Sequence, residues 1–216
     1  MNADDQKSSA IVTLLVKVPA KLSSVHIAKA ALIEDMRGAW TEPGNYKMEL
    51  YNANGQEEIF YLFERWKDLE SLEFHFKQPY TQGAIELQKV DLSAPVEINY
   101  LKDLWPGVQN EVYAESYRPL TTIITSFEVI PGMEKAFTEL FQEFVPLVRA
   151  QSGNYDYNFH SVIGKPQSFV LYERWEHQSD LDAHKSLQPT SAFSNRIAPL
   201  LQAPLSDCVL FATGIS

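Results

Sequence analysis

The chain repeats itself, and that constrains its fold more than any other feature. Gly44-Asn45-Tyr46 returns 109 residues later as Gly153-Asn154-Tyr155, and Glu64-Arg65-Trp66 returns at the same shift as Glu173-Arg174-Trp175. Leu72 and His75 meet Leu181 and His184, and Ala94-Pro95 meets Ala203-Pro204. Residues 44–75 and 153–184 align without a gap and agree at 11 of 32 positions. A one-residue slip then sets Gln78-Pro79 opposite Gln188-Pro189, making Leu187 an insertion. Self-similarity at a fixed shift marks a duplicated structural unit. One fold must therefore satisfy both halves, with domains expected over 1–105 and 119–216 and a linker over 106–118.

The local patterns of the two copies agree. Residues 10–18 and 120–130 are β-branched and apolar, as strands are. Val25, Ala28, Leu32 and Met36 recur every three or four residues, as do Met133, Phe137, Leu140, Phe144 and Val148. Each set predicts an amphipathic helix. Residues 45–52 and 58–66 read as strands turning at Asn54-Gly55, a strong hairpin signal, and 154–162 with 167–175 repeat them around Gly164. Asp68 and Ser179 are expected helix N-caps, followed by short helices to about Gln78 and Leu187. Extended segments close the halves near 96–104 and 205–212. Each half thus reads β-α-β-β-α-β, the ferredoxin-like order. Sheet faces and edges of this kind need covering, and the expected arrangement is an intramolecular pseudo-dimer with about two-fold internal symmetry.

Composition narrows the functional classes. With 216 residues and 45% hydrophobic content the chain can bury a sizeable core without a staple. Basic residues number 18 against 28 acidic, a net charge of −10. That balance argues against nucleic-acid or anionic-membrane partners. A single cysteine, Cys208, leaves no internal disulfide and no Cys-rich zinc site. Residues 1–9 lack the basic start and apolar core of a secretory signal, so the expected location is cytoplasmic. Gly-rich phosphate loops, Gly-x-Ser-x-Gly elbows and His-Glu-x-x-His pairs are missing from the sequence, and the five histidines show no metal-ligand spacing.

Glu42-Pro43-Gly44-Asn45-Tyr46 before a strand, then Phe60-Tyr61-Leu62-Phe63-Glu64-Arg65-Trp66 and a short helix ending Leu72-Glu73-Phe74-His75, resembles the antibiotic biosynthesis monooxygenase (ABM) family. The second half repeats the pattern through Gly153-Asn154-Tyr155, Phe169-Val170-Leu171-Tyr172-Glu173-Arg174-Trp175 and Ala183-His184. The resemblance implies an α+β fold in which two ferredoxin-like repeats form a single-chain dimeric α+β barrel, a fusion of what is usually two chains. Family members often carry a further histidine after a Ser-Pro pair; here Gln78-Pro79-Tyr80 and Gln188-Pro189-Thr190 occupy those places. Haem-degrading relatives of the fold use a proximal histidine that neither 84–87 nor 193–197 supplies.

What the resemblance implies is an oxidoreductase: a cofactor-independent monooxygenase that oxidises an electron-rich phenol, quinol or anthrone-like ring with O₂, needing no metal or flavin. Its partners are then a small aromatic or apolar metabolite and molecular oxygen, and a further homodimer is open. The candidate catalytic residues are His75, His184, Glu64 and Glu173. Each histidine shares or borders its helix's apolar face. A histidine there could accept a phenolic proton or hydrogen-bond a developing anion. Glu64 and Glu173 share a strand face with Trp66 and Trp175, two residues on. Trp66 and Trp175 are candidate substrate-binding walls, with Tyr46, Tyr155, Tyr51 and His160 as further candidates. The plainer alternative for each is packing: a core-edge histidine on a backbone carbonyl, a tryptophan against the next helix, a tyrosine chosen for strand propensity. Tyr51 and His160 occupy equivalent positions in the two copies and differ chemically, so two cavities need not be equally competent. A barrel that binds an apolar metabolite without turnover, or a non-oxidative enzyme such as an isomerase, fits the same pattern.

Overall fold

The computed structural model describes residues 11–107 and 120–216. The first repeat contains β1 (Val12–Pro19), α1 (Val25–Ala39), β2 (Asn45–Ala53), β3 (Gln56–Trp66), α2 (Leu69–His75), α3 (Pro79–Glu86) and β4 (Glu97–Trp105). The second contains β5 (Thr121–Glu128), α4 (Glu134–Arg149), β6 (Asn154–Val162), β7 (Lys165–Trp175), α5 (Gln178–Ser186), α6 (Gln188–Ile197), α7 (Leu205–Cys208) and β8 (Val209–Ile215). The fold is α+β, built on two ferredoxin-like repeats. From residue 108 onward the expected linker lies outside the described residues, as does the stretch before residue 11.

Contacts divide the described chain into two compact units. The first holds residues 11–100 and 213–216; the second holds 101–107 and 120–212. Strands β4 and β8 are therefore each split between the units.

In the first unit β3 lies between β1 and β2, both antiparallel to it, with Leu14 opposite Glu64 and Met48 opposite Glu64 on the other side. The hairpin turns at Gly55, whose φ of 80° belongs to the left-handed region that glycine tolerates. Leu14, Val16, Phe60, Leu62 and Trp66 point to the helix side, where Ala28, Leu32 and Met36 of α1 meet them. In the second unit the order is β8-β5-β7-β6-β4. Here α4 presents Phe137, Phe141, Phe144, Val145 and Val148 on one face, all buried, against Ile123, Phe127, Phe159 and Phe169. This core is unusually aromatic: Phe141 stacks on Phe159 at 3.8 Å and Phe144 on Phe193 at 3.9 Å.

The structure corrects three local expectations. The short helices ending near Gln78 and Leu187 are each followed by another, α3 and α6. Gln78 and Leu187 are extended N-caps, Gln78 as the residue before a proline. Pro79 at the first position of α3 and Pro189 at the second position of α6 sit in the opening turn, where the missing N–H costs nothing. Asp68 caps α2, accepting from the Ser71 amide at 2.8 Å. The cap of α5, however, is His177 rather than Ser179: the Asp180 carboxylate accepts from the His177 N–H at 3.0 Å, the N3 half of a capping box. Finally, the extended segment expected from 205 begins as the helical turn α7, and the strand runs from Val209.

Candidate active site

In each repeat the glutamate at the end of the central strand and the histidine at the end of the following helix meet under an apolar roof. The cap at Asp68 and the close seat of Gly44 against Ser71, where a Cβ would come within 2.2 Å of Oγ, lock the start of α2 to the head of β2. Gly153 does the same with Asp180 and has a φ of 75° besides. The equal spacing from strand to histidine in the two repeats follows from this docking. His75 then lands over Trp66, ring centroids 4.4 Å apart, and His184 over Trp175 at 4.9 Å. Both tryptophans are fully buried and form the floor beneath the imidazoles.

The first cavity, about 90 Å³, is walled by Leu14, Val16, Leu32 and Leu62 and carries the polar groups Asp35, Glu64, His75 and Thr81. Its rim reaches Ile85 and Ile98, both partly exposed. Glu64 accepts from the Trp66 indole N–H at 2.9 Å. Burial outweighs that bond and pushes the Glu64 pKa up to about 7. His75 bonds through Nδ1 to Glu42 Oε1 at 2.8 Å, while its Nε2 lies 3.6 Å from Asp35 Oδ1 and 3.4 Å from Thr81 Oγ1. Burial also raises the Asp35 pKa, though His75 and Thr81 oppose the shift. The same Glu42 oxygen accepts from the Tyr80 hydroxyl at 2.8 Å.

The second cavity, about 140 Å³, is lined by Phe127, Phe141, Phe144, Phe193, Tyr157 and Leu171, with Glu173, His184 and Thr190 as inner polar groups and the exposed Lys185 at its edge. Burial again raises the carboxyl, Glu173, to about 7. Its histidine has a neutral partner: Nδ1 meets Gln151 Oε1 at 2.9 Å. Burial, then Lys185, lowers the His184 pKa to about 4. At pH 7 this imidazole is neutral.

His75, His184, Glu64 and Glu173 are thus brought to the cavities. Trp66, Trp175, Tyr46, Tyr51, Tyr155 and His160 are not among the residues lining either one, the two tryptophans lying wholly buried beneath the imidazoles rather than on a cavity wall. Tyr51 bonds to Glu49, and His160 Nδ1 meets Asp103 Oδ1 at 3.0 Å on the sheet face away from the helices. Tyr155 packs on the Arg174 guanidinium, 4.8 Å from its centroid. Arg174 in turn bonds to the fully buried Asp156. Sequence reasoning missed Asp35 and Tyr157. Asp35 interrupts the apolar face between Leu32 and Met36, and its counterpart one repeat on is the apolar Phe144. An acid on a core stripe was the available signal. Tyr157 is the counterpart of Met48 and points to the cavity from the strand position opposite Glu173.

Among the described residues no three His, Cys, Asp or Glu side chains form a group suited to a metal ion, and no helix is long and apolar enough to cross a membrane.

Comparison with known proteins agrees with this anatomy. The antibiotic biosynthesis monooxygenase profile matches twice, over residues 28–87 and 121–196. The chain belongs to that family. A protein named "Putative monooxygenase YcnE", from Bacillus subtilis, is 28% identical over 89 residues, 41% of this chain and 90% of its own length. An uncharacterized Synechocystis protein is 31% identical over 62 residues, 29% of this chain and 42% of its own. Among solved structures, one titled a "putative monooxygenase" from Fusobacterium nucleatum superposes with a TM-score of 0.81 at 11% identity, covering 96% of this chain and 94% of its own. An anthrone oxidase-like protein gives 0.62 at 12% identity, covering 97% and 94%. At such identities the likeness is one of fold.

Proposed function

We propose that the protein is a monooxygenase of the cofactor-independent kind, acting on an electron-rich phenol, quinol or anthrone-like ring with O₂. The observation that carries this reading is His75, buried at the wall of an apolar cavity and backed by Glu42, with Glu64 beside it. With Glu42 ionised, the 2.8 Å contact fixes the Nδ1–H tautomer and leaves Nε2 to accept a proton. A ring held against Leu14, Val16 and Leu62 gives up its acidic proton to Nε2. Dry surroundings strengthen each polar interaction. The ring anion reduces O₂; one oxygen atom enters the ring as a new carbonyl and the other leaves as water. Family membership and the names of the relatives support the reaction class; the lining supports an aromatic, largely apolar substrate. Such a metabolite fits a cytoplasmic setting. Domain boundaries near 105 and 119 belong to the same reading.

The test is O₂ uptake and product spectra with 1,8-dihydroxyanthrone and a panel of hydroquinones, using metal-stripped, flavin-free protein against a boiled control. Enzyme-dependent uptake with ¹⁸O from labelled O₂ in the product is expected. Uptake without label marks an oxidase. If His75→Ala combined with His184→Ala leaves turnover and binding unchanged, the site assignment is wrong.

A further inference from the structure

The two cavities differ in a concerted way. In the first repeat Asp35, Gly38, Glu42 and Tyr80 surround the histidine's outer side; their counterparts in the second are Phe144, Leu147, Gln151 and Thr190. These four differences belong together. His75 lines the inner cavity, whereas Tyr80 lines a separate outer groove with Ala30, Ile33, Glu34, Arg37 and Gly38. Glu42, buried between them, is bonded by both through one oxygen, Oε1, at 2.8 Å each. The Tyr80 ring reaches this place only because residue 38 has no side chain: a Cβ there would lie 2.5 Å from three ring carbons. With Leu147 at the matching site, the second repeat has no room for such a ring, no tyrosine to fill it and no carboxylate for it to bond.

We propose that proton transfer is confined to the first repeat, where Glu42 and Tyr80 carry the proton between His75 and the outer groove, and that the second repeat's cavity binds an uncharged aromatic ring without deprotonating it. This rests on the phenol-binding part of the function proposed above, but not on its oxygen chemistry. The transfer balances as follows. The ligand's O–H proton passes to His75 Nε2, and the Nδ1 proton moves to Glu42 Oε1. The Tyr80 hydroxyl, turning about its C–O bond, takes that proton and releases its own to water in the groove. Run in reverse, the same sequence brings a proton from the groove to Nδ1 as Nε2 returns its own to the ligand's oxygen, so the relay is reversible. Glu42 and Tyr80 touch no ligand; they are positioning residues that act through His75. Asp35, Glu64 and Thr81 are the other polar groups facing that imidazole. In the second repeat the chain of donors ends at an amide, Gln151, which cannot pass a proton on. What remains is a larger, phenylalanine-lined space whose titratable groups are Glu173, Tyr157, a neutral histidine and, at the exposed edge, Lys185; its phenylalanine interior suits an uncharged ring.

The probe is 4-nitrophenol, whose anion absorbs near 400 nm, mixed by stopped flow with the full chain in weak buffer and a pH indicator. Expected for the wild type is one equivalent of bound nitrophenolate per chain, with indicator reporting proton release at the same rate. Tyr80→Phe keeps the ring and loses the hydroxyl; it should slow proton release at least tenfold with affinity unchanged within twofold. Glu42→Gln should suppress the anion band, and Glu42→Asp should restore part of it. Gly38→Leu should mimic Tyr80→Phe by displacing the ring. Circular dichroism of each variant separates these effects from misfolding, and Tyr80→Phe alone carries the test if Glu42→Gln does not fold. Two equivalents of nitrophenolate, no nitrophenolate at all, or release rates untouched in Tyr80→Phe would each overturn the proposal. The oxygenase reading fails separately: no O₂ uptake with anthrones, yet intact nitrophenolate and release kinetics, leaves the relay standing.

Discussion

Replacing Glu64 with glutamine should remove a pH dependence of stability that the fold builds in. Glu64 is 5% exposed and its one hydrogen bond comes from the Trp66 indole. Its pKa stands at about 7 in the native protein against 4.5 for an ordinary glutamate. A carboxyl raised on folding binds its proton more tightly in the native state, so its contribution is fully present below pH 4.5 and is lost as pH rises through 7. A shift of this size is worth about 3 kcal/mol in full, and linkage places roughly 2–3 kcal/mol of it between pH 5 and pH 8. Glutamine keeps an oxygen to accept the indole N–H and never ionises. Urea unfolding of both proteins at pH 5 and pH 8 reads the difference. The variant should gain about 2–3 kcal/mol on the wild type between the two pH values. Parallel pH dependence in the two proteins would refute the reasoning, since it would mean that Glu64 is either solvated or ionised without cost.

Other substitutions probe the supports of the site. Phe141→Ala removes a fully buried ring from the stack with Phe159 and should lower stability by about 3–5 kcal/mol in urea titration. Asp156→Ala strands the buried Arg174 guanidinium without its carboxylate and should cost about 3–5 kcal/mol, read as a fall in Tm. Gly153→Ala and Gly164→Ala both put alanine at positive φ, but only at 153 does the new Cβ meet a neighbour, the Asp180 carboxyl at 2.3 Å. The loss should therefore be clearly larger at 153, and chemical denaturation of the pair measures the gap.

The sequence disclosed the fold more fully than the site, and the reason is physical. Strand alternation, helical stripes and turn glycines such as Gly55 are local signals, and duplication let each half vouch for the other. Pairing of Glu64 with Trp66 followed from strand geometry alone, and the inward aim of His75 and His184 from helix geometry. Helices α3 and α6 were hidden because the extended Gln78 and Leu187 stop one helix while a proline in the opening turn starts the next, so two short helices follow each other without a loop between them. Glu42 and Tyr80 escaped because their meeting depends on packing between elements 38 residues apart. Tyr51 and His160 drew notice as a divergent pair, yet strand parity sends both to the face away from the cavities.

Asp35 and Phe144 occupy the same place in two copies of one unit. In a symmetric homodimer a single gene writes every substitution into both sites at once, so neither can change without the other. A chain that carries both copies escapes that symmetry. A mutation that fills one site with phenylalanine leaves the other's carboxylate untouched, and selection can act on each site by itself. The duplication thus amounts to a permanent heterozygote on one polypeptide, free to specialise its two sites while retaining a shared architecture.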